Sequence, residues 1–402
     1  MLPDQGAPGG SVLYVGARLP ELSETFVYRE ILGLRARGRQ VALASVHKPN
    51  SHAADITLGP LAAEATVIYS AASLRSLPWA LLRHPLLLAR AAVDALTADH
   101  PTVSSRAKHL VQAAMGIAAA RRLRDRNITH VHAHMAHVPA TVALYIARAL
   151  GARFSFTGHA ADLFVDRAAL AFKLRRAAFV SCISHWHRGF YGSIVPLEQD
   201  RLPVVRCSVA MPDIIEGNAR ELVTVARLVP KKGVDLLLRA FAAAKPDGWR
   251  LRVVGGGPEQ APLETLAATL GISEQTIFMG ARPHEQCLEA IRGAGIFALP
   301  CRTAANGDRD GIPVVLMEAM AAARPVIAGD LPSIRELVTD GAGLLVAPDD
   351  VIALADAIGQ LASDASLRAA IGAKARQRVA EEFTDDVNLA RLEAAFDTAA
   401  RA

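Results

Sequence analysis

The chain has 402 residues, 51% of them apolar, 21% charged and 5% aromatic, with a formal net charge of +5. That length and composition call for two or more globular domains with aliphatic cores. No run of about 18 residues is consistently apolar and uncharged, and residues 1–10 lack the basic and apolar regions of a secretory signal, so neither a spanning helix nor a leader is expected.

The mild positive charge favours anionic ligands or an anionic membrane surface. The aromatic and basic interleaving of single-stranded nucleic-acid binders is missing, so no nucleic-acid partner is expected. Cys182, Cys207, Cys287 and Cys301 fit neither a disulfide framework nor a zinc knuckle, and read as free thiols of a reducing cytoplasm.

In chain order, Ser11–Val15 reads as a strand ending at Gly16. A helical pattern follows from Thr25 to Arg37, Gly38 stops it, and Val41–Ala44 opens the next strand. Strand-like runs recur near 66–69, 128–133, 153–157 and 178–183, with helical stretches between them. Residues 77–96 break the rhythm. They hold Trp79, Pro85 and many leucines, punctuated by arginines. They fit a helical pair packed on the first sheet, or a peripheral contact with an anionic membrane through snorkelled arginines and the Trp face.

The pattern loosens at 207–220, around Glu216-Gly217-Asn218, where a linker is expected. Strands then fit 221–226, 250–255, 276–279, 295–300, 325–328 and 343–346, and an amphipathic helix closes the chain from about Asp385. Strands alternating with helices imply covered parallel sheets. The expected fold class is α/β, with two doubly wound Rossmann-like domains at 1–207 and 208–384. A helix over 385–402 is expected to pack back on the first.

Two stretches of the second half carry phosphate chemistry. In Asp310-Gly311-Ile312-Pro313-Val314-Val315-Leu316-Met317-Glu318, glycine permits close backbone approach and Pro313 suits a first helical turn. The amides of Val314, Val315 and Leu316 then become donors at a helix N-terminus, where anions bind. Asp310 is placed to reach a sugar beside the phosphate, and Glu318 to reach ribose hydroxyls. In Arg227-Leu228-Val229-Pro230-Lys231-Lys232-Gly233, Arg227 ends a strand and Lys232 precedes a glycine turn. Two such cations can neutralise a diphosphate leaving group.

In the first half, Ser23 can cap the helix that follows, and Glu24 or Thr25 can face acceptor or donor phosphate. His159 and Asp162 follow a strand and a glycine turn. His130, His132 and His134 share one face if extended, a spacing open to zinc or, through His134 or His132, to substrate.

Arg227, Lys232 and the 310–318 stretch resemble the retaining glycosyltransferases of family 4, which have the two-domain GT-B architecture with an active site in the cleft. Gly255-Gly256-Gly257-Pro258, Phe278-Met279-Gly280 and Gly341–Val346 extend the likeness. Ser23-Glu24-Thr25-Phe26 resembles the exopolysaccharide, colanic-acid-type branch. The family pattern is Glu, seven residues, Glu; here the first acid is Asp310, one methylene shorter. Its glycine loop, usually Gly-Asp-Gly, here ends in Gly257.

The resemblance implies a nucleotide-diphosphate sugar, UDP- or GDP-linked, as donor, with Arg227 and Lys232 on the diphosphate. It also puts Asp310 and His159 on the transferred sugar and Glu318 on the ribose. It implies retention of configuration, with the leaving phosphate as base and domain closure excluding water. No metal and no cofactor are expected, since no Asp-x-Asp stands in a suitable place. The expected acceptor is a lipid-linked oligosaccharide or a small molecule, and the expected location cytoplasmic, peripheral to the inner membrane face if 77–96 touches lipid. The competing readings are a nucleotide-sugar 2-epimerase on the same fold and a non-catalytic nucleotide-sugar-binding scaffold.

Overall fold

The computed structural model describes residues 10–21, 24–50, 58–165, 167–215 and 220–401. The chain divides into two compact units. Unit 1 comprises 1–183, 187–205 and 389–402, and unit 2 comprises 184–186 and 206–388. Of the expected linker, Glu216-Gly217-Asn218 lies outside the described residues.

Unit 1 is built on β1 (Ser11–Gly16), β2 (Val41–Ser45), β3 (Thr66–Val67), β4 (Ile128–His134), β5 (Arg153–Gly158) and β6 (Phe179–Cys182). They form one parallel sheet in the order β3-β2-β1-β4-β5-β6. Every residue of β1 and β2 is buried, which is why both read as unbroken apolar runs and not as alternating ones. Val12, Tyr14, Ile31, Leu34 and Leu43 pack together with Leu389, Leu392 and Phe396 of the terminal helix Asp385–Arg401. The end of the chain therefore completes the core of unit 1.

The segment 77–96 folds as two helices, Leu77–Arg83 and Pro85–Thr97, the second opened by Pro85. Ala80 and Ala91 pack with Ala113, Ile117 and Tyr145. Trp79 is partly buried against that same cluster and meets His84 edge-on at 5.1 Å. The exposed large apolar residues here are Leu81, Leu82, Leu86, Val93 and Leu96.

Unit 2 holds β7 (Glu221–Val225), β8 (Arg250–Val254), β9 (Thr276–Gly280), β10 (Ile296–Leu299), β11 (Val326–Gly329) and β12 (Leu344–Val346). The order is β12-β11-β10-β7-β8-β9, again parallel. Two apolar clusters cover its two faces. In both sheets the order reverses at one strand pair, β1/β4 and β7/β10. The carboxyl ends of strands at such a reversal are where open α/β sheets receive ligands.

Candidate functional site

In unit 2 the loops leaving β7 and β10 meet at that reversal. After β7, Arg227 is exposed, and Pro230–Lys232 form a single 3-10 turn closed by Gly233 at φ 66°. A Cβ at Gly233 would overlap the carbonyl of Pro300, so glycine lets this turn lie on the strand-end of β10. Lys232 Nζ donates to Asp310 Oδ2 at 2.5 Å. Lys231 Nζ stands 3.1 Å from Asp308 Oδ1 and 3.2 Å from Asp310 Oδ1. The Cys301 thiol donates to Asp310 Oδ2 at 3.3 Å.

Asp310 is buried, which by itself would raise its pKa, but the two lysines outweigh burial and pull it to about 2. The same contest holds Lys232 up: burial favours the neutral amine, and Asp310 more than restores the charge. Burial and the neighbouring carboxylate push the Cys301 thiol well up, so it stands as a donor.

The helix Val314–Ala321 begins at this cluster. Ser333 Oγ donates to the carbonyl of Gly311 at 2.9 Å and fixes the approach turn. Two expectations are corrected here. Pro313 occupies the N-cap (φ −65°, ψ 126°), one residue before the first turn. The Leu316 amide is already spent on the Pro313 carbonyl at 3.1 Å, which leaves Val314 and Val315, both partly exposed, as the helix-end donors. Ile312 points into the core.

Glu318 is 9% exposed, and its Oε1 stands 3.5 Å from His284 Nε2. The glycine loop lies against the Arg227 loop through Leu228 N–H to the Gly256 carbonyl at 2.9 Å. A Cβ at Gly255 (φ 136°) would overlap the Ala226 carbonyl, and one at Gly257 the Leu228 carbonyl.

In unit 1, His134 ends β4 and His159 follows β5. His134 Nδ1 and His159 Nε2 are 3.2 Å apart, and His134 Nε2 is 3.1 Å from Glu30 Oε1. Tyr14 Oη donates to the same carboxylate oxygen at 2.5 Å. Burial, then His134, lower the pKa of His159 to about 3. Asp162 accepts the amides of Ala136 at 2.8 Å, His159 at 3.1 Å and Ala160 at 2.8 Å. It therefore fixes the backbone that carries His159. Burial raises Glu24, the N-cap of the helix Thr25–Ala36, to about 7. Thr25 is buried, and Ser23 lies outside the described residues.

The histidine run does share one face, and its members are already held by hydrogen bonds to neighbouring side chains. His130 Nε2 and His132 Nδ1 meet Ser155 Oγ at 2.6 and 2.7 Å, and His132 Nε2 meets Thr157 Oγ1 at 3.0 Å. Glu30, His132 and His134 each offer a ligand atom, all within 4.8 Å of one another. Those atoms already hold hydrogen bonds to Tyr14, Ser155, Thr157 or each other, and a metal would have to displace them.

Sequence reasoning missed Lys231, Cys301, Ser333, Tyr14, Glu30 and His284. It also passed over the Asp-x-Asp spacing of Asp308-Arg309-Asp310, whose two carboxylates share Lys231.

Known proteins resemble this chain over part or nearly all of its length. Residues 213–378 match the family described as Glycosyl transferases group 1. A GDP-mannose-dependent alpha-(1-6)-phosphatidylinositol monomannoside mannosyltransferase of Mycolicibacterium smegmatis is 36% identical over 181 residues, 44% of this chain and 47% of that protein. A putative colanic acid biosynthesis glycosyltransferase, WcaL, of Escherichia coli is 35% identical over 171 residues, 42% of each. The matched stretch thus spans less than half the length of these curated relatives.

Among solved structures, Anabaena Alr3699/HepE in complex with UDP superposes with a TM-score of 0.72 at 16% identity, over 96% of this chain and 100% of that one. S. aureus TarM gives 0.71 at 11% identity, over 96% and 99%. These likenesses give the fold of the whole chain. Residues 213–378 therefore resemble the group 1 glycosyl transferases, and the chain shares with the solved structures a fold of two Rossmann-like units.

Proposed function

We propose that the protein is a retaining family 4 glycosyltransferase that moves a sugar from a nucleotide-diphosphate sugar to an acceptor in cell-surface polysaccharide synthesis. The observation that carries the reading is the Lys231–Lys232–Asp310 cluster at the foot of the helix Val314–Ala321, inside the matched region. Negative charge grows on the leaving phosphate as the glycosidic bond breaks. Arg227, Lys232 and the amides of Val314 and Val315 are the groups to receive it, and they gain most in the transition state. Ile312 and Pro313 shape the turn that presents those amides, and Gly257 admits the backbone beside them. Glu318 takes the ribose. No metal is called for, because these cations supply its charge.

On the unit 1 side we assign His159 to a sugar hydroxyl. We take Glu30 to accept from His134 Nε2–H and His134 Nδ1 to accept in turn. That fixes the proton of His159 on Nε2 and leaves its Nδ1 as the acceptor nitrogen. Glu24 and Thr25 face the acceptor. The relatives named for phosphatidylinositol mannosides and colanic acid support a lipid-linked acceptor. The exposed Leu81, Leu82 and Leu86, flanked by Arg75, Arg83 and Arg90, fit a peripheral contact with an anionic membrane from the cytoplasmic side.

The test is calorimetry and thermal shift with UDP, GDP, ADP and their sugar conjugates, with and without EDTA, on wild type and Lys232→Ala. One nucleotide should bind without metal and fail to bind the variant. Binding abolished by EDTA, or no nucleotide binding at all, overturns the donor-site reading.

A further inference from the structure

Unit 1 holds a cavity of about 660 Å³ that none of the above uses. Arg148, Arg153, Arg175, Arg176 and Arg201 line it, with Asp200 as the only acid among the lining residues. Its floor is apolar: Phe154 and Phe179 of the sheet, and Ala395 and Ala399 of the terminal helix.

The arginines are held in place by different means. Arg148 Nη1 reaches Asp94 at 2.7 Å, and Arg176 Nη2 reaches the same buried carboxylate at 3.6 Å. Arg90 shares that carboxylate at 3.3 Å, so one negative charge serves three guanidiniums. Arg176 also stacks on Phe172, 3.6 Å from the ring centre. Arg201 is braced on the carbonyls of Leu174 and Ala177. Arg153 reaches the Ala400 carbonyl at 3.5 Å. Arg175 is exposed. Braced guanidiniums carrying excess positive charge around a concave, partly apolar floor make a site for an anion with a planar or tetrahedral oxygen face.

The location separates it from the chemistry. Arg153 opens β5, whereas His159 follows its far end at Gly158. Six residues at about 3.3 Å each put the two ends of the strand roughly 15–20 Å apart. We propose that this cavity is a second anion site, taking a phosphate or phosphodiester group at the amino-terminal edge of the unit 1 sheet, remote from His134 and His159.

The probes are inorganic tripolyphosphate by calorimetry and phosphatidylglycerol vesicles by flotation, both on the full chain. Tripolyphosphate should bind Lys232→Ala, whose donor cation is gone, and should bind at least tenfold more weakly when Arg153→Glu and Arg175→Glu are added. Loss of vesicle flotation alone in the arginine variant identifies a lipid headgroup as the source of the phosphate. Loss of tripolyphosphate binding identifies a soluble one. If charge reversal lowers the melting temperature, Arg153→Gln with Arg175→Gln repeats the comparison. Binding of both probes unchanged in the arginine variants, or binding of neither probe to the parent proteins, overturns the proposal.

Discussion

Asp310 shows what one carboxylate does when it is buried among cations. Two lysines and a thiol converge on its oxygens, and its pKa falls to about 2 against the pull of burial. A depressed carboxylate contributes stability that is complete above the ordinary aspartate pKa and is lost as pH falls through about 2. Asp310→Asn therefore leaves the largely buried Lys232 without its carboxylate and Lys231 with Asp308 alone. It should cost about 3 kcal/mol in urea unfolding at pH 7, and the penalty should shrink below pH 4. Lys232→Ala leaves Asp310 paired with Lys231. Its melting temperature should stay close to wild type while sugar transfer falls by roughly 10²–10³-fold.

Glu30 makes a second prediction of this kind. Its carboxylate orders the protons along His134 and His159, and an amide in its place can donate where the acid accepted. Glu30→Gln should lower kcat by on the order of 10²-fold with KM for the donor little changed. An unchanged kcat and pH profile would mean that the chain of hydrogen bonds is structural only.

The strands were the most legible elements, because strands buried on both faces must be continuously apolar. β1, β2, β10 and β11 are written that way. Helix ends were legible where glycine or proline marked them, as at Gly38, which follows Thr25–Ala36 in the left-handed region. The parts of the candidate site that were not legible come from sheet order and not from chain order. Cys301 and Asp310 meet Lys232 because β10 lies beside β7, and Tyr14 and Glu30 meet His134 because β4 lies beside β1. The Leu316 amide was misassigned because the pattern shows a helix start but not which amides its first turn uses.

The terminal helix is the element whose packing carries the clearest stability prediction. Phe396 is 2% exposed in the unit 1 core and lies edge-on to His130 at 4.8 Å. Phe396→Ala should cost about 3–4 kcal/mol, read as loss of the first transition in urea. An exposed substitution on the same helix, Arg401→Ala, should cost under about 0.5 kcal/mol.

At the scale of the molecule, the two units answer acid differently. Unit 1 buries His109, His130, His132 and His159 in neutral form. Burial brings His109 to about 4, His130 and His159 to about 3, and His132 well below its ordinary value. In the unfolded chain the same imidazoles take up protons near pH 6.5. The folded state therefore binds fewer protons than the unfolded one between about pH 6.5 and 3, and stability falls as pH falls through that window. Each such histidine contributes a slope of up to about 1.4 kcal/mol per pH unit. Glu24, raised to about 7 by burial, works in the opposite sense between pH 7 and 4.5, and one carboxyl offsets only one of the four.

Unit 2 has no comparable set among its described residues, and Asp310 weakens it only as pH falls below about 4. Acidification should therefore unfold unit 1 first. The three tryptophans divide between the units, Trp79 in unit 1 and Trp186 and Trp249 in unit 2, so fluorescence of single-tryptophan variants can follow each unit alone. Trp79 emission should shift to the red at a pH at least one unit above that of Trp249. Coincident transitions would show that the buried histidines do not set the acid limit, and that the two units lose their cores together.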